Sequence, residues 1–203
     1  MTARRVVTIS AAVEGIIDEA ITRKLIVHAG GVPGPVYGKN GKPALRQRIA
    51  GYNNAARHAP WLVLVDLDRD EPCAPPLRQA WLPDLASGLC FRVAVRTVEA
   101  WLMADSEEMA RFLMVARGKV PSAPETLEDP KRTLVALARG SRRREIREGM
   151  VPRAGSGRPI GPLYTSKVLE YVEHRWRPDV AAERAQSLAR AIARLGQLVI
   201  DAR

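Results

Sequence analysis

The stretch WLVLVDLDRD, residues 61–70, decides the fold, because five apolar residues run directly into three aspartates at alternate positions. The first five residues are aliphatic or aromatic and are bounded by polar chain, which is typical of a buried β-strand over residues 61–65. Carboxylates repel one another and are unfavourable in apolar surroundings. Asp66, Asp68 and Asp70 therefore need a neutralising partner elsewhere in the chain or in a bound cation.

The segments around this stretch alternate between strand and helix patterns. Strands are predicted at residues 5–13, 61–65 and 89–95, and helices at residues 16–29, 44–57, 77–86 and from about residue 97. The intervening Gly/Pro-rich segment has room for at most a short strand near Val36 and Tyr37. This alternation predicts an α/β domain over residues 1–105, with a mostly parallel central sheet flanked by helices.

Beyond residue 105 the strand patterns stop, and residues 106–203 are predicted to form a helical, basic region packed on the core. The longest predicted helix covers residues 179–200. The net charge of the chain is +10, and residues 116–203 contain 18 Lys and Arg against 10 Asp and Glu. Such an excess favours a polyanionic partner, either DNA or RNA, although a well-solvated arginine-rich surface has the same composition.

Several classes of protein are disfavoured by composition. No apolar run approaches the roughly 20 residues of a membrane-spanning helix, and the apolar segment near the N-terminus is predicted to be a strand rather than a signal peptide. Two cysteines are too few for a disulfide framework, and they suit a reducing, cytoplasmic location. The segment GPVYGKNGKP lacks the Ser/Thr of a phosphate-binding loop, so no ATP site is predicted in this chain.

Acidic residues follow three of the predicted strands. Glu14 follows the strand at residues 5–13, and Asp66 follows the strand at residues 61–65. Glu99 lies a short turn beyond the strand at residues 89–95. Because the carboxyl ends of parallel strands meet at one edge of a sheet, these side chains are expected to converge there. Hard oxygen ligands favour Mg²⁺ or Mn²⁺. The predicted metal ligands are Glu14, Asp18, Asp66, Asp68, Asp70 and Glu99; loop acids or helix caps remain the alternative for each motif alone.

The motifs AAVEGIID (11–18) and LVLVDLDRD (62–70) resemble the Toprim domain, which topoisomerases, primases and OLD-family nucleases share. That domain has a glutamate just after its first strand and D-x-D after its third. The form V-E-G-x-x-D is most similar to the OLD-type nucleases, and the segments RVAVRTVEAWLMAD and LEDPKRTL resemble a small bacterial Toprim-like family. The resemblance implies a metal-dependent nuclease in which Glu14 binds metal or transfers a proton, Asp66 and Asp68 bind metal, and Asp18 completes the site. It also implies a separately encoded ATPase partner and a role in anti-phage defence.

Basic residues in the second half of the chain are candidates for phosphate contacts. Pro130 is expected to start a helix and to place Lys131 in its first turn, where it could assist catalysis or lie solvated on the surface. Around RGSRRRE (139–145) the arginines form the strongest predicted nucleic-acid-binding segment, with a solvated loop as the alternative. Its members are Arg139, Arg142, Arg143, Arg144, Arg147, Arg153 and Arg158.

The residues therefore favour a Mg- or Mn-dependent nuclease that cleaves phosphodiester bonds. One alternative is a non-catalytic module that uses the same scaffold to bind nucleic acid or a partner. A haloacid-dehalogenase-like phosphatase is disfavoured, because the D-x-D is not on the first strand and Asp70 stands where that family has Thr or Val. A topoisomerase or a complete primase would need further domains for which the chain has no room.

Overall fold

A computed structural model describes residues 6–203 and contains a four-stranded sheet in which every strand is parallel to its neighbours. The strands are β1 (Thr8–Val13), β2 (Val32–Gly38), β3 (Trp61–Asp66) and β4 (Leu89–Ala94), in the spatial order β2-β1-β3-β4. The predicted α/β class with a parallel sheet flanked by helices is confirmed. The predicted start of the first strand, at Arg5, lies outside the described residues.

Helices connect the strands and make up most of the remaining chain. They are α1 (Ile16–His28), α2 (Gly41–Ala55), α3 (Ala74–Trp81), α4 (Val98–Ala104), α5 (Ser106–Leu113), α6 (Pro130–Arg139), α7 (Arg144–Met150), α8 (Tyr164–His174), α9 (Pro178–Ala182) and α10 (Gln186–Asp201). Short 3₁₀ turns occur at Arg117–Lys119 and Pro124–Thr126. Within residues 6–203 no strand follows β4, as the sequence pattern predicted.

The described chain divides into two compact units. The first comprises residues 6–95 together with 187–203, and the second comprises residues 96–186. The sequence had suggested a division near residue 105, with everything after it in one C-terminal region. Almost all of α10 instead belongs to the same unit as the sheet.

The core of the first unit lies against the sheet. Val63 and Val65 of β3 are fully buried, and Leu45 of α2 and Leu77 of α3 pack in the same cluster. β3 is buried from Leu62 to Val65 because it lies inside the sheet, between β1 and β4. Burial of a Leu or Val side chain stabilises a fold by about 1.5–3 kcal/mol. This cluster therefore stabilises the sheet, and the ends of its strands position the acidic residues.

In the second unit, two tryptophans form part of a buried aromatic core. Trp101 of α4 and Trp176 are at most 1% exposed, and the indole Nε1 of Trp176 donates a hydrogen bond of 3.2 Å to the carbonyl of Trp101. Both indole rings therefore belong to the core of this unit. In the first unit, Trp61 and Trp81 are only half-buried.

Strand β2 is longer than predicted. It covers seven residues, including Pro33 and Pro35, where the sequence suggested only a short strand near Val36 and Tyr37. Proline lacks a backbone N–H donor, so it is tolerated in a strand mainly at a sheet edge. β2 occupies an edge position, with only β1 beside it. A central strand with these prolines would have lost ladder hydrogen bonds.

The long helix predicted over residues 179–200 is interrupted. α9 ends at Ala182, and α10 begins at Gln186. The backbone N–H of Gln186 donates a 2.8 Å hydrogen bond to the carboxylate of Glu125. This long-range acceptor satisfies one of the free N–H groups at the start of α10, which the sequence pattern of the helix itself does not reveal.

Two further helices begin earlier than predicted. α2 starts at Gly41 rather than near residue 44, and α3 starts at Ala74 rather than at residue 77. In α3 the prolines Pro75 and Pro76 lie in the first turn, where proline's fixed φ suits the helix and its missing N–H costs nothing.

Candidate functional site

The first and third strands bring two of the predicted acidic residues together. Glu14 follows β1 directly, Asp66 is the last residue of β3, and these two strands are neighbours in the sheet. The side chain of Glu14 accepts a hydrogen bond of 2.8 Å from the backbone N–H of Asp66. The glutamate and the D-x-D motif therefore lie at the same edge of the sheet, as the parallel topology predicted.

The environment of Glu14 makes its ionised form unfavourable. Burial raises the pKa of Glu14 from 4.5 to about 7. The hydrogen bond from Asp66 and the charge of Lys42 act in the opposite direction, whereas the carboxylates of Asp18 and Asp68 raise the pKa further. A carboxyl group with a pKa near neutrality can hold or release a proton at physiological pH. Asp18, in the first turn of α1, is itself 7% exposed.

The chain turns sharply after β3, so Asp66 and Asp68 are not neighbours on one strand face. Asp68 has a φ of 51°, in the left-handed region, and the backbone N–H of Asp70 bonds to the carbonyl of Leu67 at 3.4 Å. Aspartate tolerates this conformation better than most side chains. Leu67 is fully buried and anchors the turn. The strand continuation that would have aligned the two aspartates does not occur.

Lys42, which no sequence motif indicated as a site residue, lies close to Asp66, Asp68 and Asp70. The Nζ atom of Lys42 is 3.0 Å from the Asp68 carboxylate, 2.7 Å from that of Asp70, and 2.5 Å from the backbone carbonyl of Asp66. Burial acts to lower the pKa of Lys42, but hydrogen bonds to Asp70 and Asp68 outweigh it and raise that pKa. An ammonium group of the same chain therefore neutralises Asp68 and Asp70.

This acidic site, defined as Glu14, Asp18, Asp66, Asp68 and Asp70 with Lys42, supplies oxygen donors suited to a hard cation. Within residues 6–203, however, no three His, Cys, Asp or Glu side chains are grouped as a metal ion would require. The ammonium of Lys42 contacts the carboxylates of Asp68 and Asp70, which a bound metal ion would otherwise contact. In the observed arrangement Lys42 has the cationic role.

Glu99 and Lys131 belong to the second unit and contact each other there. Glu99 is 1% exposed, and its Oε1 atom accepts a 3.0 Å hydrogen bond from the hydroxyl of Tyr164. The Nζ atom of Lys131 lies 3.5 Å from the same oxygen, and Oε2 of Glu99 has no hydrogen-bond partner among the described residues. Lys131 does lie in the first turn of α6, which begins at Pro130 as predicted.

Three of the predicted nucleic-acid-binding arginines make contacts within the second unit. Arg143 pairs with Glu145, Arg144 pairs with Glu148 at 2.7 Å, and Arg147 donates a 2.6 Å hydrogen bond to the carbonyl of Ser141. These contacts fix the start and the exposed face of α7. They also occupy part of the hydrogen-bonding capacity that a phosphate would use.

The other predicted arginines are exposed. None of the four makes an ion pair among the described residues. These four are Arg139, Arg142, Arg153 and Arg158. Arg139 lines a pocket of about 440 Å³ together with Lys131 and Arg132. Arg153 and Arg158 line another of about 450 Å³. Both pockets border Pro152, so five basic residues of the second unit lie around this part of the chain.

Across the described chain, no helix combines the length and the apolar character needed to cross a membrane. Comparison of the chain with protein-family models, curated proteins and solved structures gives no match.

Proposed function

We propose that this protein is a divalent-metal-dependent phosphodiesterase of the Toprim type that cleaves DNA or RNA. The observation that carries the proposal is the 2.8 Å hydrogen bond from the backbone of Asp66 to the carboxylate of Glu14. It joins the residue after β1 to the residue that ends β3, which are the two strand positions at which the Toprim resemblance expects its acidic residues.

Asp66 and Asp68 would hold the cation, with Asp18 and Asp70 as further oxygen donors, and Glu14 would either bind the cation or transfer a proton. A bound Mg²⁺ or Mn²⁺ would polarise the phosphoryl oxygen and activate water for attack. Lys42 already pairs with Asp68 and Asp70, so a metal ion would have to displace its ammonium from these carboxylates. The displaced ammonium would then be available to the substrate phosphate.

Glu14 has the properties of a proton-transfer group. Its raised pKa allows its carboxyl group to be protonated or ionised near neutral pH. General acid–base catalysis is most effective when the pKa of the catalytic group is close to the working pH. A Glu14 carboxylate that does not bind the cation would accept the proton of the attacking water, and the backbone N–H of Asp66 would keep it in place.

The exposed arginines of the second unit support a nucleic-acid substrate. Arg139, Arg153 and Arg158 are exposed and make no ion pair within residues 6–203, so they can meet phosphates without breaking an internal contact. Phosphate contacts of this kind supply most of the sequence-independent affinity of nucleic-acid-binding proteins. A partner ATPase and a role in anti-phage defence belong to the same proposal and rest on the resemblance alone.

A cleavage assay tests the proposed function. Labelled single-stranded and duplex DNA and RNA are incubated with the wild-type protein in Mn²⁺, in Mg²⁺ and in EDTA. We expect cleavage only with metal, and we expect Asp66→Asn and Glu14→Gln to abolish it. A matched control is Glu19→Gln, which alters an acid of the same helix α1 that pairs with Lys39 and Arg23. Cleavage that survives Asp66→Asn would refute the assignment.

A non-catalytic module that binds nucleic acid or a partner is the second candidate function. The observation that favours it is the neutralisation of Asp68 and Asp70 by Lys42, which leaves the aspartates balanced without any metal. Under this alternative, nucleic acid binds in EDTA as well as in Mn²⁺, no product forms in any buffer, and metal has no effect on stability.

A further inference from the structure

A pocket adjoins the acidic site within the first unit. It has a volume of about 580 Å³ and is lined by Lys42, Pro43, Arg46, Gln47, Asp70 and Trp81. The first four residues come from the start of α2, and Trp81 ends α3. Lys42 and Asp70 belong to both the pocket and the acidic site, and their charged atoms are 2.7 Å apart. A molecule bound in this pocket would therefore lie beside the proposed catalytic carboxylates.

The pocket presents an aromatic ring that is held in place. Trp81 stacks on Phe91 of β4, with ring centroids 6.0 Å apart and planes inclined by 24°. Phe91 is 4% exposed and belongs to the sheet core, whereas Trp81 is only half-buried. A tryptophan that packs on the core and still reaches a pocket offers a rigid surface for stacking.

A guanidinium group accompanies this ring. The Cζ atom of exposed Arg46 lies 5.8 Å from the centroid of Trp81, in a cation–π arrangement. Nucleobases in unpaired strands are commonly recognised by stacking on aromatic rings and on arginine planes. Gln47, on the same helix, brings an amide that can both donate to and accept from a base edge.

The size and charge of the pocket narrow the ligand further. Its volume lies in the range of pockets that enclose a small molecule, so it can take one nucleotide but not a base-paired duplex. Lys42 is already paired with Asp70 and Asp68, so Arg46 is the lining cation that has no carboxylate partner among the described residues. A guanidinium beside an aromatic ring suits a ligand that joins an aromatic group to an anion, as a nucleotide does.

We propose that this pocket binds the unpaired nucleobase of a nucleotide adjacent to the phosphate that the acidic site would cleave. The proposal rests on the proposed function for that adjacent role. It narrows the substrate to single-stranded nucleic acid, or to ends, loops and flipped nucleotides. The base stacks at Trp81 and Arg46, and its phosphate approaches Lys42.

Binding measured without metal tests the pocket separately from the chemistry. Fluorescence anisotropy in EDTA gives the affinity of a labelled single-stranded oligonucleotide for the full chain. Variants Arg46→Ala and Trp81→Leu are compared with Arg48→Ala, an exposed arginine of the same helix that does not line the pocket. Trp81→Phe retains an aromatic ring and serves as the conservative control, and the comparison of Arg46→Ala with Arg48→Ala decides the test if Trp81→Leu fails to fold.

Loss of a single stacked base costs about tenfold in affinity. We expect about that loss for Trp81→Leu, and a larger loss for Arg46→Ala than for Arg48→Ala. Trp81→Phe should retain most of the affinity. A fully base-paired duplex of the same sequence should show no dependence on Trp81. An oligonucleotide that carries one base among abasic residues should depend on Trp81 as the full strand does.

The outcomes separate this inference from the proposed function. Equal, small effects of Arg46→Ala and Arg48→Ala, together with normal binding by Trp81→Leu where that variant folds, would overturn the base pocket and leave metal-dependent cleavage standing. Absence of any single-strand binding by the wild type would also overturn it. Pocket-dependent binding without cleavage in Mn²⁺ would support the base pocket and refute the proposed hydrolysis.

Discussion

Replacing Glu14 by glutamine should make the metal-free protein more stable at alkaline pH. The amide oxygen of glutamine can still accept the hydrogen bond from Asp66, but the variant has no buried negative charge. In the wild type, burial raises the pKa of Glu14 from 4.5 to about 7. Between these two values the folded state holds a proton that the unfolded state has released. The resulting stability is complete below pH 4.5 and is lost as the pH rises through about 7.

The size of the effect follows from the shift. One pKa unit corresponds to about 1.36 kcal/mol, so the Glu14 contribution to the free energy of unfolding falls by about 2.5 kcal/mol between about pH 5 and about pH 8. Glu14→Gln has no such dependence. We therefore expect the stability difference, variant minus wild type, to increase by about 2.5 kcal/mol over that interval, with solvent access at Glu14 reducing the observed value.

Urea unfolding in EDTA at the two pH values measures this difference. The matched control is Glu19→Gln: although partial burial acts the other way, hydrogen bonds from Lys39 and Arg23 lower the pKa of Glu19. Its contribution is therefore already complete at about pH 5, and the control difference should stay constant. A Glu14→Gln difference that does not change with pH would show that the Glu14 carboxyl titrates normally and is no proton-transfer group.

Three further predictions follow from individual contacts. Lys42→Met should lower the free energy of unfolding of the metal-free protein by about 2 kcal/mol, because it removes a largely buried ammonium that pairs with both Asp68 and Asp70. Lys39→Met removes a more exposed lysine that pairs with Glu19, so it should cost less than about 1 kcal/mol in the same urea titration. Equal losses would contradict the assignment. Replacing Arg139 and Arg153 together by alanine should reduce the slope of log K against log salt for duplex DNA by up to about 1.8. Replacing Arg143 and Arg144, which are paired with glutamates, should reduce this slope less. A larger reduction from Arg143 and Arg144 would place the interface on α7. Tyr164→Phe should destabilise the fold by about 1–3 kcal/mol because Glu99 loses its buried donor, while Tyr37→Phe, at an exposed edge-strand position, should change thermal stability little.

The positions of Glu14 and Asp66 could be predicted because they depend on strand order alone. An apolar run that ends in an acid identifies the carboxyl end of a strand, and parallel pairing brings such ends to one edge. The run from residue 61 to Asp66 is a strand, and Glu14 directly follows its neighbour β1. No side-chain detail was needed for this part of the site.

Lys42 could not be found in the same way. It follows Gly41 at the start of α2, a helix that was predicted to begin near residue 44, and it lies 26 residues before Asp68. Its contacts depend on the packing of α2 on the sheet and on the left-handed turn at Asp68. Neither feature has a local sequence signal. The one available hint was the excess of acids in residues 66–70, which required a cation of some kind.

The remaining differences also come from contacts distant in sequence. The break between α9 and α10 coincides with a hydrogen bond from Gln186 to Glu125, and β2 accommodates its prolines because the sheet leaves it at an edge. Periodicity describes one element at a time, so it shows neither kind of contact. It did identify the element types of the sheet and its flanking helices, because these depend on repeated apolar positions.

Direct titration with Mn²⁺, followed by electron paramagnetic resonance of the free ion, tests the central claim that the acidic site holds a divalent cation. We expect the wild type to bind Mn²⁺, Asp68→Asn and Glu14→Gln to bind at least about tenfold more weakly, and Lys42→Met to bind more tightly because no ammonium competes. Glu19→Gln should bind as the wild type does. Absence of Mn²⁺ binding by the wild type, or equal affinity in all five proteins, would contradict the account and leave Lys42 as the permanent counter-ion of these aspartates.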